Sequence, residues 1–329
     1  MGRHAASRTV RPRTVVIGMV AVIVVVGVAM GASLWLRPRH PGAVKLEGSR
    51  GDSPVSYAGI FPAADDEPLA NPLGIAYDGE YLYVAESDAG TIRVFDTNGG
   101  RVGAIRVPVA EGQRSAYPSS IAIAGDRLAV VDNAGNRVVL LAREVADESV
   151  GVEVLGDGGE APVQPTALAY VDGELFVADA SDGAIRVYSD RGEFMRAFGP
   201  DESTPEGFVT ALAASGGLLY VADSGAGLVL VRDVNTGDTK EPLSGEYSLP
   251  RAIAPVAEGT LVVIDGLSRS AHIVDRTGLE LAPIDADTVP EGPLSAPSGA
   301  VWIADDGRLY VTDAGTGRVN VYNIRVERL

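Results

Sequence analysis

LLYVAD, residues 218–223, is a short strand-like run that ends on an acid, and it is one of six such runs in the chain. The others are YLYVAE (81–86), RLAVVD (127–132), ELFVAD (174–179), TLVVID (260–265) and RLYVTD (308–313). Their terminal acids, Glu86, Asp132, Asp179, Asp223, Asp265 and Asp313, are spaced 42 to 48 residues apart. A period of this size is the signature of a repeat architecture.

Counting outward from the acids defines the unit. Upstream stand Pro72, Pro118, Pro165, Val209, Pro250 and Pro297, at offsets of 14, 14, 14, 14, 15 and 16. Five residues downstream stand Thr91, Arg137, Ala184, Leu228, Ser270 and Arg318, each opening a further β-rich run such as TIRVF or RVNVYN. Proline sets an extended start and cannot donate to a central ladder, so it belongs just before a first strand. That strand is small and apolar: LGIAYD, SSIAIAG, TALAYVD, TALAAS, RAIAPVA, SGAVWIA. A Gly-bearing turn leads into the anchored strand, where Tyr83, Ala129, Phe176, Tyr220, Val262 and Tyr310 share one position. Alternation about that position predicts a half-buried strand. Turns such as Asp96-Thr97-Asn98-Gly99 then introduce a more variable fourth strand.

Four antiparallel strands in 40 to 45 residues are the dimensions of a propeller blade. The expected fold is therefore all-β: a six-bladed β-propeller over residues 55–329, with the small first strands converging on the axis. The succession Pro-x-Gly-Ile-Ala, Gly, Leu-Tyr-Val-Ala-Asp and a basic residue before the next strand resembles the NHL repeat. The resemblance covers the whole ring, although the basic position survives only as Arg137 and Arg318.

The sixth unit supplies three strands and then runs out at Leu329. Its missing strand is expected to be VSYAGIF, residues 55–61, which would join both ends of the ring in one blade and remove a sheet edge. The alternative is that the tail IRVERL (324–329) folds back as the fourth strand.

The N-terminus obeys different physics. Residues 14–36 are 23 residues without a charge, enough to cross a bilayer core of about 30 Å. Arg3, Arg8, Arg11 and Arg13 precede them and Arg37 and Arg39 follow, a bias that predicts a basic cytoplasmic N-terminus (1–13), a single-pass signal anchor and an extracytoplasmic propeller at the cell membrane. Trp35 suits the far interface. The competing reading is a signal peptide cleaved near Ala29-Met30-Gly31, giving a secreted protein; the apolar stretch exceeds the usual 7–15-residue signal core. Residues 37–54, rich in Pro, Gly and polar side chains, read as a flexible stalk. Their Arg50-Gly51-Asp52 is a three-residue match of the kind chance produces. The chain has no cysteine, so lipoprotein attachment is excluded.

Charge narrows the partners. The first 40 residues hold six of the 27 basic residues and none of the 44 acids, which leaves the remainder at a formal −23. Such a domain repels nucleic acid and anionic lipid, which need a basic face. Propellers similar to this one include zinc lyases acting on amidated peptide precursors, which hold their metal through several histidines. Here His272 is the only histidine in the ring, so a usual N/S transition-metal site cannot be assembled. His272 itself reads as a strand surface residue, and neither a Ser-His-Asp arrangement nor a phosphate-cradling Gly loop stands out.

Two sets of residues remain. The six anchor acids, one per blade, read as structural turn caps that accept backbone N–H bonds from the following loop. The residues just after the repeated proline, Leu73, Ser119, Thr166, Thr210, Arg251 and Ser298, are expected at the mouth of the central channel. Hydroxyls and a guanidinium converging there would suit an anionic or sugar-like ligand, although small hydroxyl residues also simply start strands well. Acids in the loops around that mouth, Asp65, Asp66 and Glu67, Asp157 and Glu160, Asp201, Glu202 and Glu206, and Asp285, Asp287 and Glu291, read as a solvated rim that could steer a basic partner or hold Ca²⁺. The function expected is a membrane-anchored module that binds a protein or ligand on its loop face, a scaffold or sensor without a catalytic residue of its own. It resembles the sensor domains of some membrane kinases, but carries no kinase signature. The alternative is a Ca²⁺-dependent, lactonase-like hydrolase working at the channel. That chemistry needs acids on the inner strands, where only Asp78 and Asp172 occur, both at the far ends.

Overall fold

The computed structural model describes residues 45–46, 53–143, 153–156, 160–200, 207–257 and 259–327. Six four-stranded antiparallel sheets stand around one axis. From inner to outer strand, blade 1 is Pro72–Tyr77, Leu82–Glu86, Thr91–Phe95 and Arg101–Arg106, and blade 2 is Pro118–Ala124, Arg127–Asp132, Arg137–Ala142 and Glu153–Val154. Blade 3 is Pro165–Val171, Glu174–Asp179, Ala184–Ser189 and Phe194–Phe198, and blade 4 is Val209–Ser215, Leu218–Asp223, Leu228–Asp233 and Thr239–Lys240. Blade 5 is Pro250–Ala257, Thr260–Asp265, Ser270–Asp275 and Glu280–Ile284. Blade 6 takes Pro297–Ile303, Arg308–Asp313 and Arg318–Ile324 from the C-terminal end, and its outer strand is Val55–Phe61 from the other end of the ring.

That outer strand pairs antiparallel with Arg318–Ile324 from Val55 opposite Ile324 to Phe61 opposite Val319, with a bulge between Tyr57 and Gly59. Closure therefore uses the N-terminal segment, as the repeat count predicts. The tail does not add a strand to blade 6. Val326–Glu327 instead pairs with Lys45–Leu46, so part of the segment read as a stalk is a strand beside the ring.

The core is divided into six apolar layers, one between each pair of neighbouring blades. Blade 3 shows how one strand serves two of them. Leu175 and Val177 pack into the layer shared with blade 2, while Phe176 and Ala178 pack into the layer shared with blade 4. The expectation of a half-buried strand is thereby corrected: each anchored strand has a neighbour on both faces, so its period-2 alternation sorts apolar residues between two interfaces. At the axis the inner strands approach closely. A Cβ on Gly299 would collide with the carbonyl of Leu73 in the next blade, which explains why this inner strand opens Pro-Ser-Gly.

Among the described residues no helix is long and apolar enough to cross a membrane. Residues 14–36, on which the anchor expectation rests, lie outside them.

Candidate functional site at the cap end of the ring

Each anchored strand ends on its acid, and each inner strand starts directly opposite, so Pro72 faces Glu86, Pro118 faces Asp132, and so on around the ring. Proline is thus the first residue of five of the six inner strands, where its missing N–H costs no ladder bond, and Val209 takes that position in blade 4. Immediately after it the register slips in all six blades. The residue following that first position is the extra residue of a β-bulge, and in blade 1 both Leu73 and Gly74 fall in the slip. A bulge re-aims the side chain it carries and ends regular pairing. The six residues expected at the channel mouth therefore share one backbone peculiarity that composition did not disclose.

The cap carboxylates sit between two loops. Asp223 accepts N–H bonds from Gly207 (2.6 Å) and Phe208 (3.0 Å) in the segment arriving from blade 3, and from Gly225 and Ala226 (both 2.9 Å) in its own turn. Asp265 does the same with Ser248, Leu249, Leu267 and Ser268, and Asp313 with Ser295, Ala296, Gly315 and Thr316. Asp179 adds Arg186 (3.0 Å) to bonds from Val163, Gln164 and Ser181. Asp132 takes Tyr117 N–H and Arg137, and Glu86 takes Ala70 N–H, Thr91 and Arg93. All six acids thus fasten the incoming segment, and Asp179, Asp223, Asp265 and Asp313 also cap the N–H groups of their own turn as expected, whereas Glu86 and Asp132 are bonded instead to side chains of the third strand. Burial raises the carboxyl pKa of Asp179 and Asp265, but the hydrogen bonds to their ionised forms outweigh it and leave both below the usual carboxylate value.

The side chains expected at the channel mouth are engaged one by one. Ser119 donates to Asn133 Oδ1 (3.1 Å), Thr166 leans on the Ala178 carbonyl at 3.5 Å, and Ser298 donates to Ala296 O (3.2 Å). Thr210 donates to the Pro250 carbonyl of the next blade (2.6 Å), which Ser224 also caps (2.6 Å). Arg251 is exposed, and its stem lies against Gly266. No bond among the described residues joins one of these five side chains to another; their partners lie within a blade or across one blade boundary.

Of the rim acids, Asp65, Asp66, Glu67, Glu160, Asp287 and Glu291 are exposed, and Asp285 caps its own turn through Asp287 N–H and Thr288. Asp157, Asp201, Glu202 and Glu206 lie outside the described residues, as do Arg50, Gly51 and Asp52. Asp78 is bound at the opposite end of its strand by Glu80 and Tyr81 N–H, Tyr83 and Arg143, and Asp172 occupies a left-handed turn there. Among the described residues there is no group of three or more His, Asp or Glu that could hold a metal ion.

Sequence reasoning passed over three apolar side chains at this end. Val163 is 63 % exposed, Phe208 48 % and Leu267 69 %. The backbone N–H of each donates directly to a cap carboxylate, of Asp179, Asp223 and Asp265 respectively, which fixes all three at the cap end of consecutive blades 3, 4 and 5. Aligning the six units would have shown them. Where Leu267 stands, two residues after the acid, the other blades carry Asp88, Ala134, Ser181, Gly225 and Gly315.

No family profile matches the chain, and no curated protein does. Solved structures do. A streptogramin B lyase superposes with a TM-score of 0.57 at 15 % identity, over 79 % of this chain and 95 % of that one. A structure of a nidogen/laminin complex gives 0.58 at 18 %, over 71 % and 85 %. A catalytically inactive virginiamycin B lyase from Staphylococcus aureus with quinupristin gives 0.57 at 12 %, over 82 % and 98 %. At these identities the likeness is one of fold.

Proposed function

We propose that this chain is an NHL-type propeller that binds a partner protein on the cap end of blades 3 to 5, held outside the cytoplasm by a membrane anchor at residues 14–36. The observation that carries the binding reading is that Val163, Phe208 and Leu267 are exposed at the cap end of three adjacent blades. Apolar patches rimmed by polar residues mark interaction sites. The surrounding charge, −23 for the chain beyond residue 40, favours a partner with a basic rim around an apolar centre. One of the structures similar in fold is that of a nidogen/laminin complex. A Ca²⁺-dependent hydrolase has less support, because the described residues offer no metal-sized carboxylate group.

The test is site-specific photocrosslinking in cells that express the full chain. A photoreactive residue at Phe208 or Leu267 should yield a discrete adduct, and one at the exposed turn positions Asp126 or Asp306 should not. Adducts from both ends alike, or from neither, would overturn the assignment. Intact mass of the membrane fraction tests the anchor: a retained N-terminus supports it, and a soluble chain starting near Ala32 replaces it with secretion.

A further inference from the structure

Blade 5 breaks the pattern of its neighbours where the third strand begins. In blades 1 to 3 an arginine from that strand, Arg93, Arg137 or Arg186, reaches back to the cap acid. In blade 5 the corresponding face carries Ser270 and His272, and Asp265 is satisfied without them by four backbone N–H groups. Those side chains run the other way. Ser268 Oγ lies 2.7 Å from Ser270 Oγ, Ser270 Oγ lies 2.9 Å from His272 Nε2, and His272 Nδ1 lies 2.8 Å from Glu280 Oε1 on the outer strand.

The proton positions follow from the end of this chain. An ionised carboxylate only accepts, so Nδ1 carries the hydrogen and Nε2 of the neutral ring is the acceptor. Ser270 must then donate to Nε2, which leaves its oxygen to accept from Ser268. The result is a one-way wire from a solvent-exposed hydroxyl, through a buried one (5 % exposed), to an imidazole fixed by a carboxylate. Tyr247 holds the ring from the side at 5.8 Å, edge to face. Between the two serines Arg269 adopts φ +57°, a left-handed conformation that blades 1, 3, 4 and 6 give to glycine and blade 2 to Asn136. A long side chain is uncommon in that region, and on either side of it the hydroxyls of residues 268 and 270 lie 2.7 Å apart.

We propose that Ser268 is a nucleophile for acyl transfer, activated through Ser270 and His272, with Glu280 as the positioning residue. The substrate class is a carboxylic ester whose apolar acyl group rests on Leu267, the exposed neighbour of Ser268. Ser268 Oγ bonds to the carbonyl carbon as its proton passes to Ser270 and the Ser270 proton passes to Nε2; the carbonyl π pair becomes an oxyanion. Collapse breaks the bond to the alcohol oxygen, which takes a proton from Ser270 as Ser270 takes one back from Nε2, and Ser268 is left as an ester. Water repeats the sequence, releasing the carboxylic acid and restoring the hydroxyl. Arg251, with its stem on Gly266 at the start of the same turn, brings a cation to this end of the blade.

The full-length chain in detergent, incubated with a fluorophosphonate probe and p-nitrophenyl butyrate, tests this. The expected result is an adduct mapped to Ser268 and a burst of p-nitrophenolate, both absent in Ser268→Ala. Ser270→Ala and His272→Ala, with melting temperatures near that of the parent, should slow labelling of the intact Ser268 by about 100-fold or more, the size of a general-base contribution. Ser268→Ala changes only an exposed hydroxyl, so loss of labelling there is not a folding effect. Labelling no faster than in heat-unfolded protein, or labelling of Ser268 that ignores the loss of Ser270 and His272, would overturn the proposal.

Discussion

A buried carboxylate that binds four backbone N–H groups does two jobs at once: it satisfies a turn and it pins the segment that arrives from the previous blade. Asp265 shows the balance. Burial raises its pKa, yet four donors at 2.6 to 3.2 Å outweigh that and keep it below the usual value. Asp265→Ala orphans those donors on both sides of a blade boundary, so it should lower the unfolding free energy by about 1–3 kcal/mol in a urea titration. Unchanged stability would show that water takes over the bonds without loss. A depressed folded pKa also fixes the sign of the pH dependence. The contribution of Asp265 and Asp179 is present above the ordinary aspartate value of about 4 and fades as pH falls through the lower folded value, so the parent should lose stability on acidification and the Asp265→Ala variant should lose less over the same range. The spacing of these acids was legible in the sequence; their grip on the incoming segment was not, because that bond joins residues 15 to 18 positions apart. Ser268, Ser270 and His272 were legible in principle, as alternate residues leading into and along one face of a strand, but Glu280 joins them only through pairing with the next strand.

Strands were the most readable elements, and their ends more so than their faces. All six inner strands begin at the repeated position, and all six third strands begin five residues after the acid, since proline and turn chemistry act locally. Outer strands were less legible because little is demanded of them: in blades 2 and 4 they shrink to Glu153–Val154 and Thr239–Lys240. The bulge after each proline was invisible, being a relation between two strands. Elsewhere outer strands do contribute to the core, through Ile105, Phe198, Ala282 and Ile284, and the closing strand Val55–Phe61 adds buried Val55 and Phe61, with the Phe61 ring 4.9 Å from Phe95 of blade 1. Tyr57 lies on it over Gly292, where any Cβ would overlap its ring. Gly292→Ala must therefore displace Tyr57 and, with it, the packing on Tyr322, at a cost of about 1–3 kcal/mol for overpacking. A thermal melt of that variant lying at or above the parent would mean that this strand adapts freely.

At the scale of the whole ring, each interblade layer is shared by two sheets, so no blade has a core of its own and stability belongs to the closed circle. The layer between blades 6 and 1 contains Phe61, and the layer between blades 5 and 6 contains Val55, so one short strand contributes to both sides of the seam. Removing it exposes the outer edge of Arg318–Ile324 and strips side chains from two layers at once, in a molecule already strained by its negative charge. Deletion of residues 52–62 should consequently abolish the single cooperative transition, leaving either an unfolded chain or a ring whose blades 6 and 1 exchange amide hydrogens far faster than blades 3 and 4. Hydrogen exchange resolved by peptide separates the two results. A deletion variant that melts in one step at the parental temperature would mean that the contacts between inner strands, which run unbroken from blade to blade around the axis, hold the circle without the seam.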